Sequence, residues 1–107
     1  MSFCTELGLG CTLDISHAQL WCAHSGMPLQ EFVDRTLPIA RHLHLADAAG
    51  IDDEGLQIGE GVIDWRALLE QLERADFTWV PEIWSGHLHQ HRGFVHAINR
   101  ISALGGL

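Results

Sequence analysis

The sequence has no tyrosine, and its Lys and Arg together number only 6 against 14 Asp and Glu. The resulting formal charge of −8 argues against nucleic acid as a general partner, because phosphate backbones are neutralised by basic side chains. It argues equally against an anionic membrane surface. No apolar run approaches the roughly 20 residues of a membrane span. The opening "MSFCTELGLG" has no basic segment leading into a long apolar one, so no secretory signal is expected. Cysteine is scarce and odd in number: Cys4, Cys11 and Cys22, with no C-x-x-C pair. That pattern fits reduced thiols in a cytoplasmic protein better than a disulfide framework. Cys22 has no neighbour that would activate it.

What is present is ordinary in bulk and unusual in one respect. At 47% hydrophobic and 19% charged, 107 residues suffice for a single small domain spanning 1–107. The anomaly is histidine, 8 in all, gathered loosely in "RHLHLAD" and "GHLHQHRG".

Strand-like and helix-like segments alternate. Leu9–Ile15 reads as a strand. Pro28 opens a helix over "PLQEFVDRTL", with Leu29, Phe32, Val33 and Leu37 on one stripe. "ARHLHLADA" reads as a second strand, followed by a polar, Gly-rich loop, "GIDDEGLQIGEG". Asp64 then caps a helix whose Trp65, Leu68, Leu69 and Leu72 repeat at helical spacing. "FTWVPEIW" is a third strand, with Pro81 expected at its end or at a bulge. "GFVHAINRISAL" is a last helix, stopped by Gly105 and Gly106. The order β-α-β-α-β-α implies an α/β fold with parallel strands. A complete (β/α)8 TIM barrel needs about 200 residues or more. Three units therefore form part of a barrel, part of an assembly, or a small open α/β layer.

In such folds ligands sit outside the carboxyl ends of the strands, and each strand here carries ionisable groups near that end. Strand one ends in Asp14 and reaches His17. Strand two holds His42 and His44 on one face, with Leu43 and Leu45 turned the other way. Strand three puts Glu82 between Pro81 and Ile83, with Val80 and Trp84 on its face. Carboxylates and imidazoles at one rim suit a divalent ion such as Mn, Mg, Co or Zn. His42 lies one layer deeper, and Asp47 is an acceptor that could stand behind a ligand imidazole. Plainer readings exist: Asp14 as a helix cap, His17 as a surface residue, His42 and His44 as hydrogen-bonded core histidines. Glu82 among apolar neighbours resists such a reading, because a carboxylate in such a place is costly unless paired or bound to a cation. Of the tryptophans, Trp65 and Trp79 read as core anchors, while Trp21 and Trp84 could wall a sugar face. "GLQIGEG" lacks the Lys of a phosphate loop and reads as a turn feeding the Asp64 cap. His87, His89 and His91 read as a loop overhanging the site.

Taken together, "LDISHA", "HLHLADA", "IGEGVIDWRALLEQL" and "PEIW" resemble, in order, the D-x-x-H, H-L-N-D, G-E-G-x-I-D-W and strand-closing Glu of the xylose isomerase-like barrel superfamily. That superfamily includes sugar epimerases, inosose dehydratase-type enzymes and endonuclease IV-type enzymes. The resemblance implies that the chain is the last three β-α units of eight, a C-terminal partial barrel. It implies Asp14, His44 and Glu82 as metal ligands. It implies Glu82 and His17 as catalytic residues, and His17, His42, Trp84 and His87 near a small-molecule sugar. The chemistry implied is proton transfer next to a carbonyl through a metal-stabilised enediolate. The family's second catalytic carboxylate belongs to a strand before that of Asp14, and Glu6 lies too close to Asp14's strand to replace it. The chain is thus expected to need the missing N-terminal part of the barrel or to pair as a homo-oligomer. Two other readings are a non-catalytic metal- or sugar-binding half-barrel and an endonuclease IV-like nuclease. Against the nuclease, the loop reads Asp53-Glu54-Gly55 where those enzymes have D-x-H.

Overall fold

In the computed structural model, residues 10–104 are described. Cys4, Glu6, Leu9 and the Gly105–Gly106 helix stop lie outside them. Three parallel strands, β1 (Cys11–Asp14), β2 (Ala40–Leu45) and β5 (Thr78–Pro81), form one sheet in the order β1-β2-β5. The two-residue period sorts their side chains. Leu13, Leu43 and Leu45 point to the helix side and are buried, whereas Thr12, Asp14, His42, His44, Thr78 and Val80 share the other face. That face has no cover among the described residues: Thr12 and Thr78 are exposed and Val80 remains 43% exposed. Pro81 is the last residue of β5. The ladder runs one step past it, with Glu82 N–H donating to Leu45 O at 2.9 Å.

The helix side is built by α1 (Ile15–Ser25), α2 (Leu29–Thr36), α3 (Trp65–Leu72) and α4 (Leu88–Ala103). Val33 of α2 is fully buried, and Leu29, Phe32 and Leu37 pack against the core. In α3, Trp65, Leu68, Leu69 and Leu72 are all buried, and Asp64 caps the helix by accepting from Ala67 N–H at 3.2 Å. Within α4, His89, Gln90 and His91 have left-handed backbone (φ 53°, 62° and 62°), and the regular turns after them bury Ala97 and Ile101. No helix among the described residues is long and apolar enough to cross a membrane.

Two elements depart from the sequence reading. The first strand stops at Asp14, and Ile15 opens α1, so two helices separate β1 from β2. The stripe of α1 is thin: Ile15, Ser16, Ala18 and Cys22 are its buried residues, two of them small. It ends where Gly26 takes a left-handed φ of 84° and its N–H reaches Cys22 O. The second departure is the Gly-rich loop, which folds into an antiparallel hairpin, β3 (Asp47–Ala49) with β4 (Asp53–Leu56).

Asp47 holds this region and does not stand behind a ligand imidazole. Its side chain is wholly buried. Oδ1 accepts from Ala48 N–H at 2.9 Å and Ile63 N–H at 3.1 Å, and Oδ2 accepts from Gly59 N–H at 3.0 Å and the Trp65 indole at 2.8 Å. Four donors saturate the carboxylate, which is how a buried charge becomes tolerable. Gly61 is required beside it, since a Cβ there would collide with Asp47 and the Ala48 carbonyl. Asp47→Ala leaves four donors unpaired and should lower unfolding free energy by about 3 kcal/mol or more, read by urea denaturation. Asp47→Asn, which keeps one acceptor oxygen, should lose less.

Candidate metal centre and substrate pocket

Parallel register sets the site. Asp14 lies opposite His44, and His44 opposite Val80, so Glu82, two residues further on, comes up at the same rim. Asp14 caps α1 and also reaches the rim. Its Oδ1 caps α1 by accepting from His17 N–H at 2.9 Å, and Oδ2 turns to the rim. There it lies 3.2 Å from His17 Nδ1 and 3.8 Å from His44 Nδ1. The cap thus orients the rim oxygen. His44 Nδ1 also lies 2.6 Å from Glu82 Oε2, so the imidazole sits between two carboxylates from the neighbouring strands. One ligand atom from each of Asp14, His44 and Glu82 falls within 4.8 Å of the other two. Bonds of about 2.0–2.2 Å to a small divalent ion place its ligand atoms roughly 3–4 Å apart. The mixed oxygen and nitrogen set therefore has the chemistry to hold such an ion and lies close to the spacing one needs.

Beside this group is a cavity of about 200 Å³ lined by Asp14, Ser16, His17, Glu54, Gly55, Glu82, Ile83 and Trp84. His17 faces it, exposed, with Nδ1 toward Asp14 and Nε2 in contact with Glu54. Trp84 also lines it and is 82% exposed, so it is a wall and not a core anchor. His42 does not reach the cavity. It sits one residue pair below His44, with Nδ1 2.7 Å from Thr78 Oγ1 and its ring edge-on to His44. His87 is exposed and also stays outside the cavity. Cys22 is buried, which pushes its thiol pKa up and leaves it unreactive.

Glu54, Gly55 and Ser16 are the site residues that sequence reasoning missed. The hairpin brings them in. Buried Ser16 donates from Oγ to Asp47 O at 3.0 Å and accepts from Gly55 N–H at 2.8 Å. Gly55 O in turn accepts from Trp84 N–H at 2.8 Å. A side chain on Gly55, whose φ is +67°, would press on Trp84. The local signal was one glycine after three acidic residues, Asp52, Asp53 and Glu54, which marks a turn and not its destination.

Partial burial pulls the His17 pKa down, but the Asp14 carboxylate and then Glu54 outweigh it, and the net shift is upward. A folded-state pKa above the unfolded one makes this contribution complete below the unfolded value. It is lost as pH rises through the folded value. In the metal-free protein, NMR titration should place the His17 midpoint above that of an ordinary imidazole, and Glu54→Gln should bring it down.

A model of the xylose isomerase-like TIM barrel family matches residues 1–104, and the chain belongs to that family. It is also similar to an uncharacterized protein of Methanocaldococcus jannaschii, 40% identical over 78 residues. Those residues make up 70% of this chain and 25% of the relative. The matched region thus spans about a quarter of that protein's length. The parallel three-stranded sheet with its helices corresponds to part of such a barrel.

Proposed function

We propose that the chain supplies the last three β-α units of a sugar isomerase or epimerase barrel that works with a divalent metal ion. The observation that carries this reading is the convergence of Asp14, His44 and Glu82 within 4.8 Å at the carboxyl ends of three adjacent parallel strands. When bound, the cation would supply Lewis acidity toward a substrate carbonyl and its adjoining hydroxyl. The chain's own residues do the rest. A Glu82 carboxylate oxygen exchanges a proton at the carbon beside that carbonyl. His17 lies on the cavity wall with both ring nitrogens engaged by Asp14 and Glu54, so it reaches a substrate oxygen only in place of one of those carboxylates, and Trp84 covers one side of the substrate. His42 supports His44 from below, and His87 stays in the loop beyond Trp84, outside the cavity.

Completion of the barrel is part of the proposal. The uncovered sheet face and the outer edges of β1 and β5 support cover by further strands or by a second copy of the chain. A half-barrel that binds metal or sugar without turning it over is the second reading. It is favoured because the second catalytic carboxylate that the family resemblance implies belongs to a strand before that of Asp14, and β1 is the first strand among the described residues. The nuclease reading is disfavoured by the charge of −8 and by Gly55 in place of a ligand His.

Calorimetry of the full chain with Mn²⁺ or Zn²⁺ should give one site, with affinity lowered at least tenfold by Asp14→Asn, His44→Ala or Glu82→Gln. No binding, or unchanged binding in all three variants, would remove the metal centre. In the completed barrel, Glu82→Gln should abolish metal-dependent exchange of solvent deuterium into a ketose, and undiminished exchange would remove Glu82 from catalysis. Exchange absent from the unsubstituted barrel that still binds metal would favour the binding module.

A further inference from the structure

We infer that the pocket selects an uncharged polyhydroxylated substrate and turns away phosphorylated sugars, with Glu54 as the residue that sets the choice. This rests on the reading of the cavity as the substrate site and adds the substrate class.

The distribution of cations is the first observation. The chain has no lysine, and its six basic side chains are all arginines inside the described residues. None lines the cavity. Arg35 closes onto Glu31 at 2.8 Å. Arg41 and Arg74 line a hollow at the opposite, amino end of the sheet. Arg100 is engaged by Ile58 O and His96. Arg66 and Arg92 line hollows on α3 and α4. A phosphate ester is ordinarily held by such side chains or by the open N–H groups of a helix N-terminus. The helix that begins at this cavity, α1, has its N-terminus filled by the Asp14 carboxylate. Among the described residues neither kind of phosphate partner is open at the cavity, since His17, the one imidazole that lines it, is engaged by Asp14 and Glu54.

The second observation is what the cavity offers instead. Asp14, Glu54 and Glu82 give it three carboxylates. A divalent ion held by Asp14 and Glu82 would offset two of those charges. Glu54 is left over, held by its contact with His17 on a hairpin pinned through Gly55 to Ser16 and Trp84. A carboxylate accepts from hydroxyl groups and repels a phosphate dianion. Trp84, too exposed for its place to be explained by packing, presents an aromatic face for the C–H side of a sugar.

The test uses the full chain with Mg²⁺ and compares D-fructose with D-fructose 6-phosphate by saturation-transfer NMR, with circular dichroism confirming that each variant is folded. Fructose should bind at least tenfold more tightly than its phosphate. Glu54→Gln should shrink that ratio to under threefold, and Glu54→Arg should reverse it. Equal binding, tighter binding of the phosphate, binding of neither, or an unchanged ratio in Glu54→Gln would overturn the inference. Mg²⁺ affinity, measured on the same samples, separates the two readings. Preference for fructose without metal binding defeats the metal centre and leaves the selectivity standing. Metal binding with preference for the phosphate does the reverse.

Discussion

Every functional contact depends on the register of the parallel ladder. Asp14 faces His44 across one strand boundary, and His44 faces Val80 across the next. Because side chains alternate, a slip of one residue in either pairing would send Asp14 or Glu82 to the helix side, among Leu13, Leu43 and Leu45. The buried leucines prevent that slip, since it would expose them while burying the carboxylates. The packing that stabilises the sheet is thus also what gathers the oxygen and nitrogen atoms at the rim.

The second layer of organisation is the Asp47 carboxylate. It ties the start of the hairpin to Gly59, Ile63 and the Trp65 indole, so the segment from β2 to α3 behaves as one body. Ser16 and Gly55 join that body to α1 and to Trp84. Through this chain of hydrogen bonds a residue of the hairpin, outside the three-stranded sheet, Glu54, arrives against His17. Scaffold and pocket are coupled here by satisfied polar groups and not by apolar contact.

The sheet has a closed side and an open one, and chemistry is divided between them. The closed side is apolar and carries the stability of the domain. The open side, with Thr12, His42, Thr78 and Val80, is of mixed polar and apolar character. The candidate group of Asp14, His44 and Glu82 lies at the top of that face. Family membership and the short span matched in a longer relative agree with this division.

Much of this was readable from the residues alone. The three strands, the helices of Leu29, Trp65 and Ala97, and the common rim of Asp14, His44 and Glu82 follow from periodicity, caps and strand direction, all encoded by neighbours in sequence. The thin stripe of α1 hid that helix. The double placement of Asp14, with one oxygen on the cap and the other at the rim, could not be resolved from spacing, which permits either. The fate of Asp47 and the arrival of Glu54 were decided only by tertiary structure. Their partners lie many residues away, and a hydrogen bond of that range leaves no local pattern. Sequence determined which side chains each strand offers to the rim; folding determined which loop residues meet them, because loop placement is set by the satisfaction of buried polar groups across the whole domain.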